Sequence, residues 1–274
     1  MKIQKNYKNN FEKVLFDNNF YYLSYISILS RQVSQNSDIS IIFLINILLS
    51  EIIVRKLRKY DLNYILFTQR DCCNIYNIFK TFYPNFYAKK FYVSREAMLK
   101  PSNNFLIYYK KNIKKDCLIF DMNGTGLSIF NFCNVNHIDF TSKTKILYAI
   151  LFNNQKSHTI INEFSNKIDY ISKDVECIDV LEIINLDIFG KIIDFNFIPI
   201  RKNVTYDLSI VYNIHSSLLK TTNLIKKTKI INKLIKELEE IDYDSIVNLL
   251  VSITKYVKKT STYNALSFFH RNDT

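Results

Sequence analysis

The sequence predicts an α/β fold built on a parallel sheet, and three observations carry that prediction. Short apolar runs of strand length recur between residues 63 and 152, helical apolar spacing fills the stretches between them, and the flanking segments are helical. Strands that alternate with helices imply parallel pairing under covering helices.

In chain order, residues 11–35 and 38–60 carry apolar side chains at helical spacing, with Asp38 placed to cap the second segment. YILFT (64–68) follows as a strand, then a helix over 73–82 and a strand at KFYV (90–93). A helix over about 103–111 leads to the strand CLIFD (117–121). A further helix starts at about Leu127, before the strand KILYAILF (145–152). CIDVLEII and KIIDFNFIPI read as strand or mixed segments, and from about Asp207 the chain is helical. No internal repeat and no Pro/Gly-rich linker divides it. The expected organisation is a helical lead-in over 1–60, an α/β core over 61–205 and a helical C-terminal segment over 206–274 packed on that core.

The chain has 274 residues, 48% hydrophobic and 15% aromatic, enough to bury a substantial core and to exclude disorder. Its net charge of +12 suits a polyanionic partner. The lysines fall in short clusters (Lys110, Lys111, Lys114 and Lys115; Lys226, Lys227 and Lys229; Lys258 and Lys259), read as solvated surface. No nucleic-acid motif surrounds them. The five cysteines show no CxxC pair and no zinc spacing, and an odd number argues against a complete disulfide framework. A reduced, cytoplasmic setting fits. The first residues lack the apolar centre of a signal peptide, and the most apolar run, 39–49, is too short to cross a bilayer. A soluble chain, peripheral to a membrane at most, is the expectation.

In a parallel sheet, ligands sit beyond the carboxyl ends of the strands. That rule gathers Gln69, Arg70 and Asp71 after the first strand, Ser94 and Arg95 after the second, and Asp121 through Ser128 after the third. Gly124 and Gly126 are two of only three glycines in the chain. They permit a tight loop whose backbone N–H groups face an anion; Asn123, Thr125 and Ser128 add polar groups, and the next helix adds its positive end. Arg70 and Arg95 would fork onto phosphate oxygens, and Asp71 and Asp121 would hold a divalent cation or ribose hydroxyls.

The run from Cys117 to Ser128, four apolar residues, an acid, three intervening residues and then Thr-Gly-x-Ser, resembles the phosphoribosyl pyrophosphate loop of type I phosphoribosyltransferases. That family usually carries two adjacent acids where this chain has Phe120-Asp121, and Gly124 stands where a further acid is frequent. A longer stretch, FTQRDCCNIYNIF, KKFYVSREAMLKPS, LIFDMNGTG and VLEIINLDIFGKIIDF, resembles the phosphoribosyl-transferring domains of bacterial capsule and O-antigen gene clusters, often fused to haloacid-dehalogenase-type phosphatases. Cys72 stands where that group usually has glycine. The resemblance spans roughly residues 60–215. It implies a Rossmann-like, phosphoribosyltransferase-like sheet and transfer of 5-phosphoribose to a glycan or lipid-linked glycan, with Mg²⁺ as cofactor and a separate phosphatase as partner. It gives Arg70, Asp71 and Asp121 the catalytic roles, with Asp71 and Asp121 at the metal. Ser94, Arg95, Asn123, Gly124, Thr125, Gly126 and Ser128 would bind substrate.

Two other readings use the same residues. FDMNGTG resembles the first motif of haloacid-dehalogenase phosphatases, but Asn123 replaces the acid that exchanges a proton there. A non-catalytic phosphate-, nucleotide- or nucleic-acid-binding module would also use a basic chain with a glycine loop. Bland alternatives remain as well: an Arg70–Asp71 strand-end ion pair, a helix start at Ser94, and a packing role for His215.

Overall fold

The computed structural model describes residues 10–69, 71–151, 164–186, 192–202 and 208–273. The lead-in comprises α1 (Asn10–Asp17), α2 (Tyr21–Ser34) and α3 (Ser37–Lys59). The stretch of helical spacing over 11–35 is broken between Asp17 and Tyr21, where Asn19 sits at φ 67, a left-handed conformation that asparagine tolerates better than most residues. Helix α3 is capped by Asn36 and not by Asp38. Asn36 is extended, and its side chain accepts from the Asp38 N–H at 2.8 Å. Asp38 therefore stands inside the first turn, where its charge complements the helix dipole.

Helix α3 is buried almost all round and forms the centre of one core. Several of its buried polar groups have partners. Glu51 accepts from Arg55 Nε and from the Tyr83 hydroxyl, each at 2.7 Å, and Asn46 Nδ2 donates to the Ile42 carbonyl at 2.9 Å. By length and composition α3 could cross a membrane, but 89% of its most apolar window is buried inside the fold, as in the central helix of a soluble protein.

Five strands, β1 (Tyr64–Thr68), β2 (Tyr87–Phe91), β3 (Leu118–Gly124), β4 (Lys145–Leu151) and β5 (Ile168–Ser172), form one parallel sheet in the order β2-β1-β3-β4-β5. Between them run α4 (Cys73–Phe82), α5 (Arg95–Leu99), α6 (Asn103–Ile113) and α7 (Leu127–Val135). Strand residues of alternate parity feed two cores. Ile65, Phe67, Leu118, Phe120 and Leu147 pack on the side of α3 and α4, whereas Leu66, Ile119, Ile146 and Tyr148 join Phe105, Tyr109 and Phe132 from α6 and α7. The sheet is thus the middle of three layers, which is why its strands read as continuous apolar runs. Each such fully buried aromatic or aliphatic side chain contributes roughly 1.5–3 kcal/mol.

The segments read as strand or mixed resolve differently. Residues 178–183 form a helix, α8 (Ile178–Ile183), whereas residues 192–201 are strand, an antiparallel hairpin of β6 (Ile192–Asn196) and β7 (Ile198–Arg201). Both segments are too short for periodicity to separate helix from strand. The C-terminal helices α9 (Ser209–Lys226), α10 (Ile230–Glu239), α11 (Tyr243–Val257) and α12 (Ser261–Asp273) add Val211, Leu218, Leu234, Leu238, Leu250 and Ile253 to the core around α3.

Candidate functional site

The strand order reverses between β1 and β3: β2 lies on one side of β1, and β3 to β5 follow on the other. Loops leaving the carboxyl ends of such neighbouring strands diverge to opposite faces and leave a crevice. A cleft of about 620 Å³ occupies that place, lined from β1 by Thr68, Gln69 and Asp71, from the β2 side by Ser94, Arg95 and Glu96, from β3 and its turn by residues 121 and 123–128, and by Tyr148 and Glu182. Every described site residue named from the sequence meets there. Arg70 lies outside the described residues.

Strand β3 continues three residues beyond the expected end, so Asp121 and Asn123 are strand residues paired with Tyr148 and Ile150 of β4. One position past the Phe67–Phe120 pair, the Thr68 hydroxyl donates to Asp121 Oδ1 at 2.7 Å, and the same oxygen accepts the Met122 N–H at 2.9 Å. Asp121 is thereby fixed at the lip of the cleft, half-buried. The Asn123 amide donates to Glu182 Oε1, tying β3 to α8.

The glycines have a packing reason that the sequence alone does not reveal. A Cβ on Gly124 would lie 2.4 Å from Tyr148 Cε1, so the ring of the adjacent strand fills the space a side chain would need. The Tyr148 hydroxyl reaches on to the Gly126 backbone; burial first, and then the Asp121 charge, push its pKa well up, so it stays a neutral phenol. Gly126 sits at φ +81, the left-handed region, and a Cβ there would press on Phe130 at 2.9 Å. The true turn is therefore Thr125-Gly126, and it aims α7 at the cleft.

Three helices begin at this rim, and two of their N-termini are closed by protein. Ser94 Oγ accepts from the Ala97 N–H at 3.1 Å and donates to the Ile192 carbonyl at 2.5 Å, so it caps α5 and ties it to the hairpin. Asn185 Oδ1 accepts from the Ile75 N–H of α4 at 3.0 Å, while the Asn185 carbonyl takes the Cys73 N–H at 3.2 Å. His215 Nδ1 lies 2.8 Å from Asn74 Oδ1 in the same junction, a packing role. Helix α7 has no side-chain cap; only its Leu127 N–H finds Thr125 Oγ1, at 3.2 Å. Its first-turn donors and dipole thus open into the cleft beside Ser128.

The described lining carries four carboxylates, Asp71, Glu96, Asp121 and Glu182, and one guanidinium, Arg95, which is exposed. An anionic ligand at the α7 terminus would need a cation between it and these acids. Among the described residues no three acids, histidines or cysteines converge tightly enough to cage a metal. Asp71 and Asp121, at the ends of adjacent strands, suit a Mg²⁺ ion that takes one or two carboxylates and completes its shell with ligand phosphates and water. All five cysteines are buried, and burial raises the thiols of Cys117, Cys133 and Cys177 to about 12, 11 and 11, which makes them poor nucleophiles.

Sequence reasoning missed Tyr148 and Glu182. Tyr148 is one aromatic in an apolar strand, and only the folded packing of β4 against β3 brings its ring onto Gly124. Glu182 fell in a segment read as strand or mixed. Comparisons with known proteins add no further assignment: no family model matches the chain, and neither a curated protein nor a solved structure matches it at the significance required.

Proposed function

We propose that this chain is a phosphoribosyltransferase that moves 5-phosphoribose from phosphoribosyl pyrophosphate to a hydroxyl of a glycan or related acceptor. The observation that carries this reading is the uncapped N-terminus of α7, opening with Thr125 and Ser128 into a cleft at the sheet's switch point. The loop's likeness to the phosphoribosyl pyrophosphate loop supports it, since the 5-phosphate would take the first-turn donors of α7.

Asp121 and Asp71 would hold Mg²⁺, which when bound neutralises the leaving pyrophosphate. The chain's own residues do the rest. Thr68 orients Asp121 through its hydroxyl. Arg95 at the opposite lip supplies positive charge for pyrophosphate oxygens. As the bond from C1 to pyrophosphate breaks, positive charge develops on the ribose ring, and the carboxylate-rich wall stabilises it. The acceptor oxygen bonds to C1 and its proton passes to a carboxylate of the rim, Asp71 or Asp121.

Asn123 tells against the phosphatase reading. Its amide donates to Glu182 and cannot act as an acid or base at neutral pH. Titration calorimetry with phosphoribosyl pyrophosphate, with and without Mg²⁺, tests the proposal: saturable binding that requires Mg²⁺ supports it, and equal binding in EDTA or none at all refutes it.

A further inference from the structure

The β6–β7 hairpin turns through one residue. Asn196 pairs with Ile198, and between them Phe197 stands at φ 60. That is a left-handed conformation in which a bulky side chain is strained, at a position where glycine or asparagine would normally serve. Phe197 is also 87% exposed and Ile198 71% exposed. A strained, solvated phenylalanine at a hairpin apex costs stability twice, through backbone strain and through exposed apolar area, and nothing within the described fold offsets either.

The helix that carries the hairpin presents a row of exposed lysines. The hairpin is anchored on α6: Asn104 Nδ2 donates to Asn196 Oδ1 at 2.9 Å, Ser102 Oγ donates to Asp194 Oδ1 at 2.6 Å, and Phe195 stacks on Tyr108 at 3.9 Å. From Asn104 the outer face of α6 runs at helical spacing through Ile107, 66% exposed, to the exposed Lys110, Lys111 and Lys114. Lys89 of β2 adjoins this group. Its pKa is lowered, by burial first and then by the neighbouring Lys111 charge. Apolar tip and lysines thus share one side of the molecule.

We propose that the hairpin tip and the outer face of α6 form a docking surface for an anionic lipid bilayer. Phe197 and Ile198 enter the boundary between headgroups and acyl chains, and Lys110, Lys111 and Lys114 hold anionic headgroups. A protein partner would ordinarily meet a mixed-charge rim, whereas a row of exposed lysines beside an exposed apolar apex complements a negative, deformable surface. Strand β6 starts at the cleft rim, where Ile192 accepts from Ser94, so docking sets the cleft beside the lipid surface.

The test uses the whole chain and co-sedimentation with vesicles of phosphatidylcholine alone or with about one third phosphatidylglycerol. Binding to the anionic vesicles, weakened by salt, is expected. Phe197→Asn should reduce that binding by about tenfold or more while raising the melting temperature, because asparagine accepts the left-handed conformation. A charge-reversed Lys110→Glu/Lys111→Glu variant should lose the preference for anionic lipid. No binding to anionic vesicles, or parental binding by Phe197→Asn, overturns the proposal. So does a concentration-dependent dimer that Phe197→Asn abolishes without any vesicle binding, which would give the face to a second copy of the chain. None of these readouts involves phosphoribosyl pyrophosphate, so each stands apart from the catalytic reading.

Discussion

The Asn123 side-chain amide donates to Glu182 Oε1 across 59 residues of sequence, joining the end of β3 to α8 at the wall of the cleft. This contact decides what a carboxylate at position 123 would meet. Asn123→Asp sets two carboxylates against each other, and like charges at hydrogen-bond distance cannot both ionise without cost. The variant should lose about 1–3 kcal/mol of stability at neutral pH. One acid of the new pair has a raised pKa in the fold, so the loss should fade as pH falls through that value. Urea unfolding at neutral and mildly acidic pH checks it, with Glu182→Gln expected to restore stability in the double variant. Gain of phosphatase turnover by Asn123→Asp would instead favour the degraded phosphatase motif.

Gly124 and Tyr148 form a second coupled pair. Adding a methyl group where the ring lies 2.4 Å away forces a buried aromatic to move, and overpacking of this kind costs typically about 1–3 kcal/mol. Gly124→Ala should therefore destabilise the fold as well as weaken binding. In a Tyr148→Leu background the same substitution should cost less than half as much. Equal cost in both backgrounds, measured by denaturant unfolding, would mean the ring is not what excludes a side chain.

The opposite end of the sheet carries the pH dependence. Asp169 Oδ2 accepts from Lys56 Nζ at 2.8 Å and from the Tyr60 hydroxyl. Burial raises the Asp169 pKa, but the bonds from Lys56 and Tyr60 outweigh it and hold the carboxyl below its usual range. A depressed folded pKa gives stability that is present above the unfolded value of about 4 and is lost as pH falls through the folded value. The Lys56 ammonium is held above its usual value despite burial, chiefly by its hydrogen bond to Asp169, so its share is lost only as pH rises past that raised value. Asp169→Asn should cost about 2–3 kcal/mol at neutral pH, below the 3–5 kcal/mol of a fully buried pair, and should flatten the acid limb of the stability curve. An unchanged acid limb would remove this cluster from the account.

Asp121→Asn keeps the shape of the Thr68 contact and removes the charge. It should weaken phosphoribosyl pyrophosphate in the presence of Mg²⁺ by roughly 1.5–3 kcal/mol, the scale of a hydrogen bond to a charged group, and should change the metal-free affinity little. Calorimetry in Mg²⁺ and in EDTA separates these outcomes. A uniform loss in both would make Asp121 a scaffold residue.

Much of this architecture is legible in sequence because parallel strands buried on both faces leave continuous apolar runs. YILFT is β1 to the residue, and the helix start at Leu127 is also met. The rim followed from topology alone: Thr68 could meet Asp121 only once β1 and β3 were neighbours. What stayed hidden depended on register and on partners distant in sequence. The reason for Gly124 is a ring on β4, the cap of α4 is Asn185, and α8 was too short to show a helical period.

The most direct test of the central claim is a crystal structure of the chain grown with phosphoribosyl pyrophosphate and Mg²⁺. The account predicts the 5-phosphate on the first-turn N–H groups of α7 beside Thr125 and Ser128, with the metal at Asp121. A cleft that stays empty at saturating ligand, or a ligand whose phosphate lies away from that helix, would contradict it.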